Sequence, residues 1–129
     1  MDNKKGILYT SYFAKLNKGI GTKASVTQYD PKWLDFKKYN IKRSLGLAPS
    51  KELLYDYKYN NLSWSEYRQR YIREGLNNKY FQTDIKMIKY LLDKGENVTI
   101  YCYEKSTDNC HRHIIAEIFR EHGYKSKEI

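Results

Sequence analysis

The pattern of apolar and polar positions along the chain predicts strands that alternate with helices. Three short runs, at residues 7–13, 24–29 and 98–103, are rich in apolar, β-branched and aromatic side chains, which is typical of β-strands. The run at 98–103 is almost continuously apolar and indicates a central strand of a parallel sheet. Residues 32–49 show no clear period and are predicted to be irregular. Residues 124–129 are predicted to form a final edge strand.

Helices are predicted where apolar residues recur every three or four positions. Ser50 is a suitable N-cap for the first helix. Ser63 and Glu66 have the spacing of a capping box, in which each side chain bonds the backbone amide of the other residue. A third helix is predicted to end near Gly95 and a fourth at Gly123.

This order of elements defines the expected architecture. Strands that alternate with helices predict an α/β fold with a mainly parallel sheet flanked by helices, a Rossmann-like arrangement. A chain of 129 residues without a linker or repeat is expected to form one layered domain over residues 1–129.

Composition adds a positive charge and an unusual number of tyrosines. The chain has 24 Lys and Arg against 15 Asp and Glu, which gives a net charge of +9 and favours an anionic partner such as a nucleotide or nucleic acid. The lysines are scattered, so an ordinary solvated surface explains the charge equally well. The 14 tyrosines include candidates for stacking on bases, but the helical spacing of several favours packing.

The sequence also bears on location. It has no run of eighteen apolar residues, so neither a transmembrane helix nor a membrane partner is expected. The first residues lack the apolar region of a signal peptide, and we therefore predict a cytoplasmic protein. In that compartment Cys102 and Cys110 are expected to be thiols rather than a disulfide. The oligomeric state has no signature in the sequence.

Candidate chemistry is concentrated in residues 102–113, which contain both cysteines and two of the three histidines. The segment joins the predicted central strand to the last helix, where α/β proteins place their ligand sites. A thiol at a helix N-terminus has a lowered pKa if it is exposed, so Cys110 is a candidate nucleophile with His111 or His113 as its base. The alternative is that Cys110 is a small buried residue.

Three charged residues complete this candidate site. Arg112 is predicted to hold a phosphate together with the helix amides, or else to form a structural ion pair with Asp108 or Glu104. Glu104 is a candidate general acid or base and Lys105 a candidate anion contact, unless they form an ordinary surface pair.

Zinc is a further alternative for the same segment. Cys102, Cys110, His111 and His113 offer four ligands, but their spacing matches no standard zinc finger. The spacing of cysteine and arginine also differs from that of a phosphatase loop, so that class is rejected. No metal and no other cofactor is predicted.

Five short motifs together resemble the bacterial and phage domain-of-unknown-function family 488. In chain order they are Tyr9-Thr10-Ser11-Tyr12-Phe13, Pro31-Lys32-Trp33, Leu47-Ala48-Pro49-Ser50, Cys102-Tyr103-Glu104-Lys105 and Cys110-His111-Arg112-His113. The resemblance spans about residues 7–122, and the last two motifs are its specific part. Many members carry Gly-His-Ser after the first strand and Asp-Val-Arg after the second. This chain resembles a divergent branch, and the roles of those His, Asp and Arg residues cannot be transferred to it.

The resemblance implies an α/β fold in which three strands converge at their carboxyl ends. They are the first strand, the second strand and the strand that contains Cys102. Such a fold would bring seven side chains into one cleft. They are Ser11, Tyr29, Cys102, Glu104, Cys110, His111 and Arg112.

The sequence therefore predicts a small enzyme that acts on a nucleotide or nucleic acid through glycosidic-bond or base-modification chemistry. Glu104, His111 and Cys110 are the candidate catalytic residues. The candidate substrate contacts are Ser11, Tyr29, Lys105 and Arg112. The alternative is a non-catalytic module of phage or mobile-element origin that binds a nucleotide or a protein. In a third interpretation the cysteines and His113 only pack the last helix.

Overall fold

A computed structural model describes residues 4–103 and 109–129. The described strands form one five-stranded sheet, in which all pairs are parallel and the order is β3-β2-β4-β1-β5. The strands are β1 (Ile7–Tyr12), β2 (Thr22–Ser25), β3 (Ile41–Arg43), β4 (Val98–Cys102) and β5 (Lys125–Glu128). The helices are α1 (Lys51–Tyr59), α2 (Trp64–Leu76), α3 (Lys79–Asp93) and α4 (His111–Glu121). This confirms the predicted α/β fold with a parallel sheet flanked by helices.

The predicted helix starts are present. Ser50 Oγ accepts a hydrogen bond from the Leu53 amide at 3.1 Å and caps α1. The capping box of α2 is complete, because Ser63 Oγ accepts from the Glu66 amide at 3.1 Å and Glu66 Oε1 from the Ser63 amide at 3.3 Å. Gly95 and Gly123 follow the ends of α3 and α4 with positive φ angles of 87° and 89°, which glycine adopts without a steric penalty.

The two faces of the sheet are covered unequally. All four α-helices pack on one face, against a core that includes Leu8, Ala24, Val98 and Ile100. The opposite face carries a smaller cluster around the buried Tyr101, covered by Phe13 of the 3-10 helix Phe13–Lys18 and by Leu34 and Phe36. All five residues of β4 are buried, which confirms its predicted central position.

Two predictions about the β2–β3 region were wrong. The second strand is Thr22–Ser25 rather than 24–29, because Thr27 leaves the ladder and its hydroxyl donates to the Tyr29 carbonyl at 2.9 Å. The segment 32–49, predicted to be irregular, contains β3. That strand is three residues long with a single buried residue, Ile41, so its pairing with β2 determines it more than any local pattern. None of the described helices is long and apolar enough to cross a bilayer.

Candidate functional site

A pocket lies at the carboxyl ends of β2 and β4. After β2 the chain passes to the face that carries Leu34 and Phe36, whereas after β4 it enters α4 on the opposite face. Loops that leave adjacent strands toward opposite faces open a crevice, which is where open α/β sheets bind ligands. About 510 Å³ of unfilled space, partly open to solvent, occupies this position. The lining consists of Thr27, Gln28, Tyr29, Pro49, Leu54, Tyr57, Trp64, Tyr67, Tyr103, Asn109, Cys110 and His111.

Aromatic rings form the helical wall of the pocket. Trp64 and Tyr67 are stacked, with ring centroids 5.0 Å apart and an interplanar angle of 15°. Tyr57 packs on Tyr67 at 4.8 Å and links α1 to α2. The capping box places Trp64 as the first residue of α2, so the start of that helix positions the ring.

Two loops close the opposite wall. Tyr103, just after β4, donates a hydrogen bond from its hydroxyl to the Tyr29 carbonyl at 2.8 Å. This bond ties the loop after β2 to the end of β4. The Gln28 side-chain amide donates to the Pro49 carbonyl at 3.1 Å and holds the loop before α1. Tyr29 itself is 58% exposed and stands at the mouth of the pocket.

His111 is the buried titratable group of the pocket. Its Nε2 contacts the Val26 carbonyl, which can only accept, so Nε2 carries the proton and Nδ1 keeps its lone pair. Nδ1 points to Cys110 Sγ at 3.7 Å. The pKa of His111 is lowered to about 4, mainly by burial and also by nearby Arg112 and His113, against the opposing hydrogen bond to Val26. His111 is therefore neutral at pH 7, with an acceptor nitrogen on the cysteine side.

The prediction of two free thiols was wrong. Cys102 at the end of β4 and Cys110 at the N-cap of α4 are joined as a disulfide. Both residues are buried where the end of β4 meets the start of α4. Cys110 is thus not an exposed thiolate in this form, and its predicted role as a nucleophile requires reduction.

Donor atoms of Cys102, Cys110 and His111 lie within 4.8 Å of one another, which makes these three side chains the candidate metal ligands among the described residues. Thiolates, not disulfide sulfurs, bind zinc. These three side chains therefore fit a metal ion only after the disulfide is reduced.

Arg112 lies next to this pocket but not in its lining. Its side chain is fully buried and forms an ion pair with Glu128 of β5 at 2.9 Å. Its Nη1 also donates to Cys102 Sγ at 2.9 Å. Thr10 Oγ1 donates to the same Glu128 carboxylate, which ties β1 to the pair. The cation at the first turn of α4 therefore has a partner in Glu128 next to β1, and its predicted phosphate contact stays a prediction.

The other predicted site residues divide into three groups. Tyr29, Cys110 and His111 come together in the pocket. Ser11 does not reach its lining, because the side chain is buried on the face of Tyr101 and its hydroxyl donates to the Ile129 carbonyl at 3.0 Å. Glu104 and Lys105, like Asp108, lie outside the described residues.

Sequence reasoning missed the aromatic wall. None of Tyr57, Trp64 and Tyr67 is among the predicted site residues, because the helical spacing of several tyrosines favours packing. The available signal was the capping box, which fixes where α2 starts and hence that Trp64 lies at a helix end.

Together, a parallel sheet, a crevice at its carboxyl edge and a Cys-His-Arg motif at the following helix start define an α/β protein with a pocket at the edge of its sheet. A family model described as "Active DUF488-N3 subclade" matches residues 11–123, nearly the whole chain. The protein belongs to this DUF488 family, as its motifs predicted. Neither the curated proteins nor the solved structures contain a match.

Proposed function

We propose that the protein is an enzyme acting on a nucleotide or nucleic acid, and that the pocket takes up the base. The observation that carries the proposal is the ring wall of Tyr57, Trp64 and Tyr67 at a sheet edge suited to ligands. The half-buried rings of Tyr57 and Trp64 offer a surface on which a flat base can stack, while the buried Tyr67 supports both rings. Each stacked base contributes roughly 1–3 kcal/mol. The amides of Gln28 and Asn109 add donors and acceptors suited to the polar edge of a base.

The charge of the chain supports an anionic substrate. A net charge of +9 attracts phosphates over a distance comparable to the Debye length. The word "active" in the description of the family model supports chemistry rather than binding alone. Within the proposal, Lys105 and Arg112 remain the candidate phosphate contacts.

Glu104 is the proposed general acid or base. It follows Tyr103, a lining residue, by one position in the sequence. In glycosidic cleavage by water, the water oxygen bonds to the sugar carbon as the bond to the base breaks. One proton of the water passes to Glu104, and the departing base takes up a proton. Neutral His111 supplies a fixed dipole to the pocket rather than a positive charge.

One observation favours the alternative of a binding module. The described lining of the pocket contains no carboxylate, and both nitrogens of His111 already have neighbours. A module of this kind would hold the base against the ring wall and release it unchanged.

Product analysis separates the two functions. Labelled nucleotides and single-stranded oligonucleotides are incubated with the protein and analysed by mass spectrometry. The proposal predicts a released or altered base, and a loss of at least about 100-fold in rate for Glu104→Gln. Glu121→Gln, an exposed glutamate at the end of α4, is the control. Ligand that binds and is recovered unchanged would establish the binding module. Full activity of Glu104→Gln would show that Glu104 is not the acid or base.

A further inference from the structure

A second groove continues the pocket along α1. It is lined by Tyr29, Lys51, Leu54, Tyr55, Tyr57, Lys58 and Tyr59. Three of these residues, Tyr29, Leu54 and Tyr57, also line the pocket, so the groove opens directly from its mouth. The unfilled space in it is about 1140 Å³.

The rings in this groove are exposed, unlike the tyrosines that form the core. Tyr29, Tyr55 and Tyr59 are 58%, 59% and 60% exposed. Tyr55 and Tyr59 lie one helical turn apart, with centroids separated by 4.9 Å. Rings that are exposed to this extent offer stacking surfaces to a ligand in the groove.

The charges beside the rings are positive. Lys51 and Lys58 are exposed members of the groove, and Lys58 Nζ lies 5.3 Å from the centroid of Tyr59. The acidic residues of α1 do not line the groove, and Asp56 is paired with Arg70. Proteins that bind single-stranded nucleic acid combine aromatic rings, which stack on the bases, with positive charges, which contact the phosphates.

We propose that the substrate is a single strand of nucleic acid rather than a free nucleotide, with one base in the pocket and the neighbouring bases stacked on Tyr55 and Tyr59. This inference rests on the proposed function and specifies its substrate class. A duplex is disfavoured, because paired bases do not expose their faces to tyrosine rings. Lys51 and Lys58 contact the phosphates between the stacked bases.

Fluorescence anisotropy with a labelled eight-nucleotide single strand tests the proposal, with the matching mononucleotide as competitor. The strand is expected to bind at least about tenfold more tightly than the mononucleotide. The double variant Tyr55→Ala/Tyr59→Ala is expected to lose this difference in affinity. Tyr90→Ala is the matched control, because Tyr90 is 59% exposed on α3 and has Lys94 at 5.0 Å from its ring. The double variant should bind the mononucleotide as the wild type does.

Salt dependence tests the lysines separately. Each of Lys51→Ala and Lys58→Ala is expected to reduce the slope of log affinity against log salt by about 0.7, the value for one lost phosphate contact in a single strand. A polyglutamate peptide of equal length is the control for charge alone. Binding of that peptide as tightly as the oligonucleotide would overturn the inference.

The outcomes distinguish this inference from the proposed function. If Trp64→Ala abolishes mononucleotide binding while Tyr55→Ala/Tyr59→Ala leaves strand binding unchanged, the pocket proposal stands and the groove is wrong. If Trp64→Ala leaves mononucleotide binding intact, the pocket itself is wrong. Equal affinity for the strand and its duplex would also contradict the groove.

Discussion

The two polar regions at the carboxyl edge of the sheet differ in how completely their groups are satisfied. Around Arg112 the groups are enclosed and paired, with Glu128 bonded to both the guanidinium and Thr10. The pocket beside it is open, its walls are aromatic, and Tyr29 is 58% exposed. The Cys102–Cys110 disulfide lies between the two regions, since Cys102 contacts Arg112 and Cys110 lines the pocket. Paired and enclosed groups hold the fold together, whereas open and aromatic ones are available to a ligand.

The largest effect is expected on the enclosed side. Arg112→Ala should lower the free energy of unfolding by about 3–5 kcal/mol, because a buried ion pair loses one partner and a cavity replaces the side chain. Urea denaturation measures this loss. Arg43→Ala is the control, since Arg43 pairs with Asp30 on the exposed surface and should cost much less. Equal losses for the two variants would contradict the distinction between a structural corner and an open site.

A smaller effect concerns the pH dependence of the pocket. The pKa of His111 is lowered to about 4 in the folded protein, against an ordinary value of 6.5. As the pH falls from 6.5 to 4, the unfolded chain binds a proton that the folded protein excludes, so stability is lost across this window. The loss amounts to about 3 kcal/mol between pH 7 and pH 4.

Urea denaturation at the two pH values measures that loss. His111→Gln should show a correspondingly smaller change between pH 7 and pH 4, because the titrating group is gone. His122→Gln, on the surface at the end of α4, is the control and should behave as the wild type. If His111→Gln follows the wild-type pH dependence, His111 is not buried in its neutral form.

The sequence predicted the elements whose signals are local. The capping box at Ser63, the buried run of β4 and the glycine after α4 each follow from residues that are neighbours in the chain. It missed β3, because three residues next to β2 gain their structure from a partner strand and not from their own pattern.

The candidate site was predicted in part for the same reason. His111 and Tyr29 meet because parallel strands end at one edge, which the strand order implies. Arg112 and Ser11 were expected in the same cleft, but Glu128 and Ile129 of the carboxyl terminus engage them. No local pattern reveals these contacts, because Glu128 is 16 residues from Arg112 in the chain and Ile129 is 118 residues from Ser11.

The central claim is that the pocket holds a base. Trp64 lines the pocket, so its fluorescence can report the binding of a base. The chain has two tryptophans, and Trp33 is 68% exposed and lies outside the pocket. In the Trp33→Phe variant, all tryptophan fluorescence therefore comes from Trp64. Titration with a nucleotide should quench it saturably, whereas ribose 5-phosphate, which has no base, should leave it unchanged. Equal quenching by the sugar phosphate, or none by any nucleotide, would contradict the claim.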